Sequence, residues 1–408
     1  MKILIVSYYP LPYVGGLWTV VRNLRNELTR TGHEVDILAQ NEAMTEYRII
    51  GQKAPFEVSD IQPLIEEEML ATFSKLESYT SIYLTEVLKY SLELTALALD
   101  LSKYDIIHAQ DIIAAAAIAR IKPAHIPIVT SIHGYLSKEI ALSIKGRHPK
   151  IEPAELYESF EYQYNVHLEH IGCHGSELIH TPANITKVDI MQQHHISESR
   201  FVQFPYGIDI ETFRQSPQQL ELIPAKKKPV ILFAGRIVQV KGVHILVEAL
   251  KQLKTITSNW ECWLLGSGDA VKSIKNQIKD ADLTADIKLF GSVPNVKGFL
   301  DTADIFVSPS LQDTQPYSVI EAQLSSLPVV VSDAGGLPEM VQEGVTGLLS
   351  ETANPESLAH QLARLLQDTA LRQQLGHQAR LWAEQQWSLI NMGYNTVNLY
   401  KKALGLPE

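Results

Sequence analysis

Cysteine is almost missing from this chain. Among 408 residues there are two, Cys173 and Cys262, too few for a disulfide framework and without metal-ligand spacing. A reducing compartment fits such usage best. No apolar run reaches the roughly 20 residues of a membrane-spanning helix. The apolar opening "MKILIVS" is too short for a secretory signal and lacks a small-residue cleavage site. Positive charge is also scarce: 35 Lys and Arg face 46 Asp and Glu, for a formal net charge of -11. Such a surface repels nucleic acid and anionic lipid overall. "HH" at 194–195 reads as a polar surface pair, and no metal-binding cluster stands out. The expectation is a cytoplasmic protein without nucleic acid or metal. Any contact with a membrane would be peripheral, at its inner face, through short basic stretches such as "SKEIALSIKGRHPK" (137–150) and "AKKKP" (225–229).

What is present is ordinary globular composition, 45% hydrophobic and 20% charged, in a chain long enough for two or three domains. Short apolar runs of the kind a two-sided parallel sheet needs alternate with amphipathic stretches. "KILIVSY" (2–8), a Gly-containing loop and "WTVVRNLRNELTRTG" open a βαβ unit that "HEVDILAQ" (33–40) closes. Residues 41–100 are less regular, and within them 59–100 reads as mainly helical. Alternation resumes at "YDIIHAQ" (104–110), "PIVTSIHG" (127–134), "ELIHTP" (177–182) and "FVQFPYGID" (201–209). A polar linker, 213–229, follows. The pattern restarts with "PVILFAG" (229–235) and runs through "WECWLLGSG", "IKLFGSV", "DIFVSPS" and "PVVVSDAGG" to a helical end. Two such sets predict an α/β protein of two doubly wound, Rossmann-like domains facing across a cleft. Ligands of such sheets lie beyond the carboxyl ends of the strands.

The loop "GRIVQVKG" (235–242) lies at such an end. It places Arg236 and Lys241 between a strand and a helix start, where unpaired amides and the helix dipole favour an anion. Arg236 offers a planar fork for phosphate oxygens and Lys241 a compact charge. Further on, Asp313 precedes a helix that Pro316 suits as its first residue, and Asp313 or Thr314 is placed to cap it. Glu321 follows eight residues after Asp313. Asp111 reads as a helix N-cap and Tyr317 as a core aromatic at least as readily as a ligand contact.

Taken together, "GRIVQVKG", "LLGSGD", "GSVPN", "ADIFVSPS", the two carboxylates eight apart and "GGLPEMVQEGVTGLL" resemble the retaining nucleotide-sugar glycosyltransferases of the family-4 type. "YPLPYVGG", "TGHEVDIL", "DIIHAQD", "VTSIHG" and "PYGID" extend the resemblance to nearly the whole chain. It implies the glycosyltransferase-B architecture, with an acceptor-binding domain at 1–207, a donor-binding domain at 208–385, and a last helix (386–408) crossing back to the first. It also implies roles. Arg236 and Lys241 would neutralise the donor diphosphate, and Asp313, with Thr314 and Gln315 beside it, would meet the sugar. Glu321 would hold the ribose and Val293 the base. Gly15 and Gly16 would admit the donor phosphate, since they carry no Cβ. His133 would lie near the reacting sugar. The implied reaction moves a sugar from a nucleotide-sugar, UDP favoured and GDP-mannose second, to an acceptor hydroxyl of a glycan, lipid, small metabolite or protein. No cofactor or metal is needed.

Two departures stand out. The family pattern has Glu followed by a Gly-aromatic-Gly-like run where this chain has Asp313, Thr314, Gln315 and Pro316. Either the donor is held differently, or the sugar is unusual, or catalysis is lost. A non-catalytic nucleotide-sugar-binding partner and, further off, a sugar-nucleotide epimerase are the competing functions. The basic stretch 138–150 either borders the acceptor site or is a solvated loop.

Overall fold

The computed structural model describes residues 1–13, 15–73, 80–216 and 223–407. The chain divides into two units, Met1–Phe204 with Ile390–Glu408, and Pro205–Leu389. Part of the expected linker, 217–222, and part of the region read as mainly helical, 74–79, lie outside the described residues, as does Val14.

The first unit is built on seven strands: β1 (Lys2–Pro10), β2 (Glu34–Gln40), β3 (Tyr47–Ile49), β4 (Ile106–Ala109), β5 (Ile128–Ser131), β6 (Leu178–Thr181) and β7 (Phe201–Gln203). Their order is β3-β2-β1-β4-β5-β6-β7. Its helices are α1 (Gly16–Arg30), α2 (Val58–Thr72), α3 (Thr80–Ala98), α4 (Ile112–Ala119), α5 (Leu136–Arg147), α6 (Pro153–Glu158), α7 (Phe160–Gly175) and α8 (Asn184–His194). The strands are short because each is buried on both faces. All four residues of β4, of β5 and of β6 are buried, as continuous apolar runs in parallel sheets require. α1 buries Val20, Val21, Leu24 and Leu28 along one stripe and stops at Thr31. α4, "IIAAAAIA", is buried over all but its last residue, since alanine lets it lie close against its neighbours.

The second unit carries α9 (Ile210–Arg214), then β8 (Val230–Ala234), α10 (Val243–Ile256), β9 (Glu261–Leu265), α11 (Val271–Asp280), β10 (Ile287–Gly291), α12 (Lys297–Thr302), β11 (Ile305–Ser308), α13 (Tyr317–Leu324), β12 (Val329–Ser332), β13 (Gly347–Ser350), α14 (Pro355–Gln367) and α15 (Thr369–Gln386). Its six strands are ordered β10-β9-β8-β11-β12-β13, and every pairing is parallel. An aliphatic core including Ile231, Val247, Leu250, Leu264, Val307 and Leu362 fills the space under α10 and α14. α16 (Leu389–Ala403) returns to the first unit. There Tyr400 is fully buried, and Gly393 faces the side chain of Glu27 on α1.

The stretch 59–100 is mainly helical as read, in α2 and α3, and ahead of it β3 pairs antiparallel with the edge of β2, Leu38 opposite Ile49. Two expectations need correction. The basic stretch after His133 is not a loop, because most of it is α5. Two of its cations are ion-paired, Lys138 with Asp189 and Arg147 with Glu161. His194 is not a surface residue. It is 2% exposed, and its Nε2 lies 3.3 Å from Glu169. Only His195, at a left-handed C-cap, is exposed. Asp111, by contrast, is the N-cap of α4, its carboxylate accepting the Ala114 amide.

Candidate active site

In the second unit the chain runs from β8 to β9 on one side and returns to β11 on the other, so the topological switch point lies between β8 and β11. A doubly wound sheet leaves its ligand crevice there, beyond the carboxyl ends of the strands. Arg236 follows β8 by two residues, and Asp313 follows β11 by five. The tight loop between β8 and α10 is held by backbone bonds to the next loop, Gly235 N to Leu265 O at 3.0 Å and Ile237 N to Ser267 O at 2.8 Å. Gly242 then turns the chain into α10 with φ +67, and a Cβ there would collide with the Pro309 carbonyl. Gly335, φ +55, packs in the same way against the Asp313 carbonyl. Glycine is needed at both places, for conformation and for close approach.

The cations are not equivalent. Lys241 Nζ lies 2.5 Å from Asp313 Oδ2, an ion pair about four-fifths buried at both ends. Asp313 also accepts from Ser310 Oγ at 3.3 Å and from the Thr314 amide at 3.2 Å. Arg236 is exposed, and its side chain makes no hydrogen bond or ion pair among the described residues. It is therefore the charge available to an incoming anion, while Lys241 must be shared with a carboxylate. Pro316 is the N-cap of α13, one residue earlier than expected. Glu321 is half-buried on the second turn of that helix, and Val293 is half-buried just past β10.

The Gln315 side chain is engaged within the unit. It turns to the Tyr206 backbone, Oε1 accepting the amide at 2.8 Å and Nε2 donating to the carbonyl at 3.2 Å. Tyr317 joins it, its hydroxyl donating to the Gly207 carbonyl at 2.9 Å. These two side chains tie the start of α13 to residues 206–207, so only the main chain of Gln315 is left for a ligand. Thr314 is buried.

In the first unit the switch point lies between β1 and β4. Gly15 is the N-cap of α1, and a Cβ at Gly15 or Gly16 would meet nothing within 4 Å. Glycine there is not demanded by the protein's own packing. Asp111 sits across the switch point, accepting from the Tyr8 amide at 2.8 Å and Ser7 Oγ at 3.0 Å, and burial pushes its carboxyl up to about 6. His133, half-buried after β5, has Nε2 3.1 Å from Gln110 Oε1. Burial first, and the neighbouring His180 second, push its pKa down to about 3, so the ring is neutral. Gln110 escaped the sequence reading. The signal was available in the pairing of β4 with β5, which brings two strand ends 23 residues apart side by side. Among the described residues no group of His, Cys, Asp or Glu is placed to hold a metal, and no helix is long and apolar enough to cross a membrane.

Two Rossmann-like α/β units, each with a polar edge at its switch point, define the glycosyltransferase-B fold, and the solved structures this chain resembles have it. HepE of Anabaena, determined in complex with UDP-glucose, superposes with a TM-score of 0.71 at 19% identity, over 98% of this chain and 100% of that one. The family follows from the sequence matches. Residues 14–212 match the model of Glycosyltransferase Family 4, and residues 216–382 match that of Glycosyl transferases group 1. An uncharacterized glycosyltransferase of Methanocaldococcus jannaschii is 26% identical over 415 residues, 99% of each chain. The amylovoran biosynthesis glycosyltransferase AmsK of Erwinia amylovora is 35% identical over 170 residues, 40% of each. Together the two models span most of the chain, and the matches support a group 1 glycosyltransferase.

Proposed function

We propose that this protein transfers a hexosyl group, with retention, from a nucleoside diphosphate sugar to an acceptor hydroxyl in glycan or glycoconjugate synthesis. The observation that carries the reading is Arg236, an exposed and unpaired guanidinium at the switch point of the second sheet, beside the Lys241–Asp313 pair. The bond that breaks joins the anomeric carbon to a diphosphate oxygen, and the bond that forms joins that carbon to the acceptor oxygen. The acceptor proton passes to the departing diphosphate. Charge builds on the leaving group, where a bidentate guanidinium and an ammonium stabilise it best. In this reading the two cations do the neutralising, with no metal assigned. Glu321 takes the ribose hydroxyls, Val293 borders the base, and Asp313 with the Thr314 and Gln315 main chain faces the sugar. Gly15 and Gly16 leave room for phosphate, and His133, on the first unit, supplies a neutral imidazole. UDP-sugars are favoured as donors because the similar HepE structure holds UDP-glucose.

The test is turnover of UDP-glucose and GDP-mannose, each with and without a panel of glycan and lipid acceptors. Release of nucleoside diphosphate is followed alongside the anomeric proton coupling of the product. An axial product from an axial donor is expected. Inverted product would overturn retention. Tight binding without any turnover or donor hydrolysis would instead favour the non-catalytic binding partner.

A further inference from the structure

We propose that Gln110 is the positioning residue of His133: its side-chain carbonyl accepts the Nε2 proton and so fixes the imidazole as the Nε2–H tautomer, with the Nδ1 lone pair as the acceptor. The inference rests on the reading of the protein as a transferase that uses His133.

The geometry is that of a rigid support. Gln110 and His133 leave the carboxyl ends of adjacent parallel strands, with Ala109 of β4 opposite Thr130 of β5. The Nε2···Oε1 distance is 3.1 Å. Gln110 is fully buried, and its own amide is fixed to the Val6 carbonyl of β1 at 2.8 Å. One nitrogen of a histidine sets the state of the other through the hydrogen bond it makes, and a carbonyl oxygen can only accept. With the Gln110 amide in this orientation, the proton sits on Nε2.

A second observation argues against a role in packing alone. The Gln110 side-chain amide nitrogen is buried and has no hydrogen-bond partner. Leaving a buried donor unpaired is unfavourable, so the bond to His133 is the polar contact that the Gln110 side chain makes in return.

The same logic orders the histidines beneath it. His180 Nε2 donates to the Phe204 carbonyl at 2.8 Å, so its Nδ1 accepts the Ser131 hydroxyl at 2.9 Å. Ser131 Oγ then accepts from His108 Nε2 at 2.8 Å, and His108 Nδ1 accepts the Tyr400 hydroxyl at 2.7 Å. The titratable groups around His133 are thus His108 on β4 and His180 on β6, with Glu139 of α5 against Gly134. Burial lowers the pKa of both histidines, His180 to about 4. The whole edge is arranged to hold neutral imidazoles of defined tautomer.

The test combines nitrogen NMR of histidine-labelled protein with kinetics of two variants. In the wild type the His133 shifts should report the Nε2–H tautomer, unchanged from pH 5 to 8. Gln110→Met should mix the tautomers, lower kcat about tenfold, leave the donor KM unchanged, and leave the melting temperature level or raised. Gln110→Glu places a carboxylate against the ring and favours imidazolium, so the pH–rate profile should gain an ionisation near neutrality. A wild-type Nδ1–H tautomer would overturn the proposal, and so would Gln110→Met with full activity and the wild-type tautomer. A wild type that turns over no sugar donor would defeat the transferase reading, while the NMR result would still decide the tautomer.

Discussion

At the carboxyl edge of the first sheet, the polar groups are buried and answer one another. His108, Ser131, His180 and Tyr400 form one chain, and Gln110 holds His133. At the same edge of the second sheet, the decisive groups stand on loops. Arg236 is exposed, Lys241 is tied to a carboxylate, and glycines at 242 and 335 let backbone carbonyls come close. The first edge is built to hold proton positions, and the second to meet charge. Different residues should therefore fail in different ways when each edge is disturbed.

The largest expected effect lies on the second edge. Arg236→Ala should lower kcat by about 10²–10³, the usual scale for removing one group that stabilises transition-state charge. Its melting temperature should not move, because the side chain has no partner to lose. Loss of both stability and activity would show that Arg236 is structural, and the contrast between the edges would collapse.

Acid should separate the units next. A histidine whose folded pKa is depressed contributes stability above its unfolded value, near 6.5, and that contribution is lost as pH falls toward the folded value. For His180, lowered to about 4, the loss is about 3 kcal/mol between those limits. His108 and His133 act in the same direction. Asp111 opposes them, since its carboxyl, raised to about 6, prefers to protonate in the folded state. At the carboxyl edge of the sheet the three histidines outweigh the one carboxylate, leaving a net local loss. In the second unit His244 is the histidine with a lowered pKa among the described residues. Hydrogen exchange at pH 7 and pH 5 should thus show β4, β5 and β6 losing protection before β8 and β11. The reverse order would contradict the assignment of neutral imidazoles.

A smaller effect sharpens the backbone side of the comparison. Gly242→Ala must adopt φ +67 and meet the Pro309 carbonyl, and should lose at least about 2 kcal/mol in urea unfolding. Gly15→Ala, with open space around its Cβ, should leave stability level and weaken nucleotide binding. The smallest effect concerns α5. With Lys138 and Arg147 already paired, Lys145→Glu with Lys150→Glu should change stability by less than about 0.5 kcal/mol. It should raise the KM of an anionic acceptor while sparing UDP binding. Unchanged acceptor kinetics would remove α5 from the acceptor side.

The same difference explains what could be read from the sequence. The second edge was legible because its parts are local. A strand, a glycine, two cations and a helix start lie within a few residues, and Asp313 and Glu321 share one segment. Two of its features were hidden because they are long-range: the Lys241–Asp313 pair spans 72 positions, and the Gln315 side chain finds its partner, Tyr206, 109 residues away. The first edge was harder throughout. Gln110 and His133 meet only once β4 and β5 are paired, and His194 becomes a buried residue only when α8 brings it to Glu169. β3 is three residues long, too short for its alternation to register, and the charges of 137–150 masked the α5 helix.

The most direct measurement is the melting temperature of the wild type and of Arg236→Ala with increasing UDP. A ligand that binds only the folded state stabilises it by about 2.7 kcal/mol at a hundredfold excess over its dissociation constant. The account predicts a clear rise for the wild type, a much smaller one for Arg236→Ala, and equal melting temperatures without nucleotide. A wild type unmoved by UDP, GDP and ADP alike, or a variant that responds as the wild type does, would contradict the placing of the donor diphosphate at Arg236.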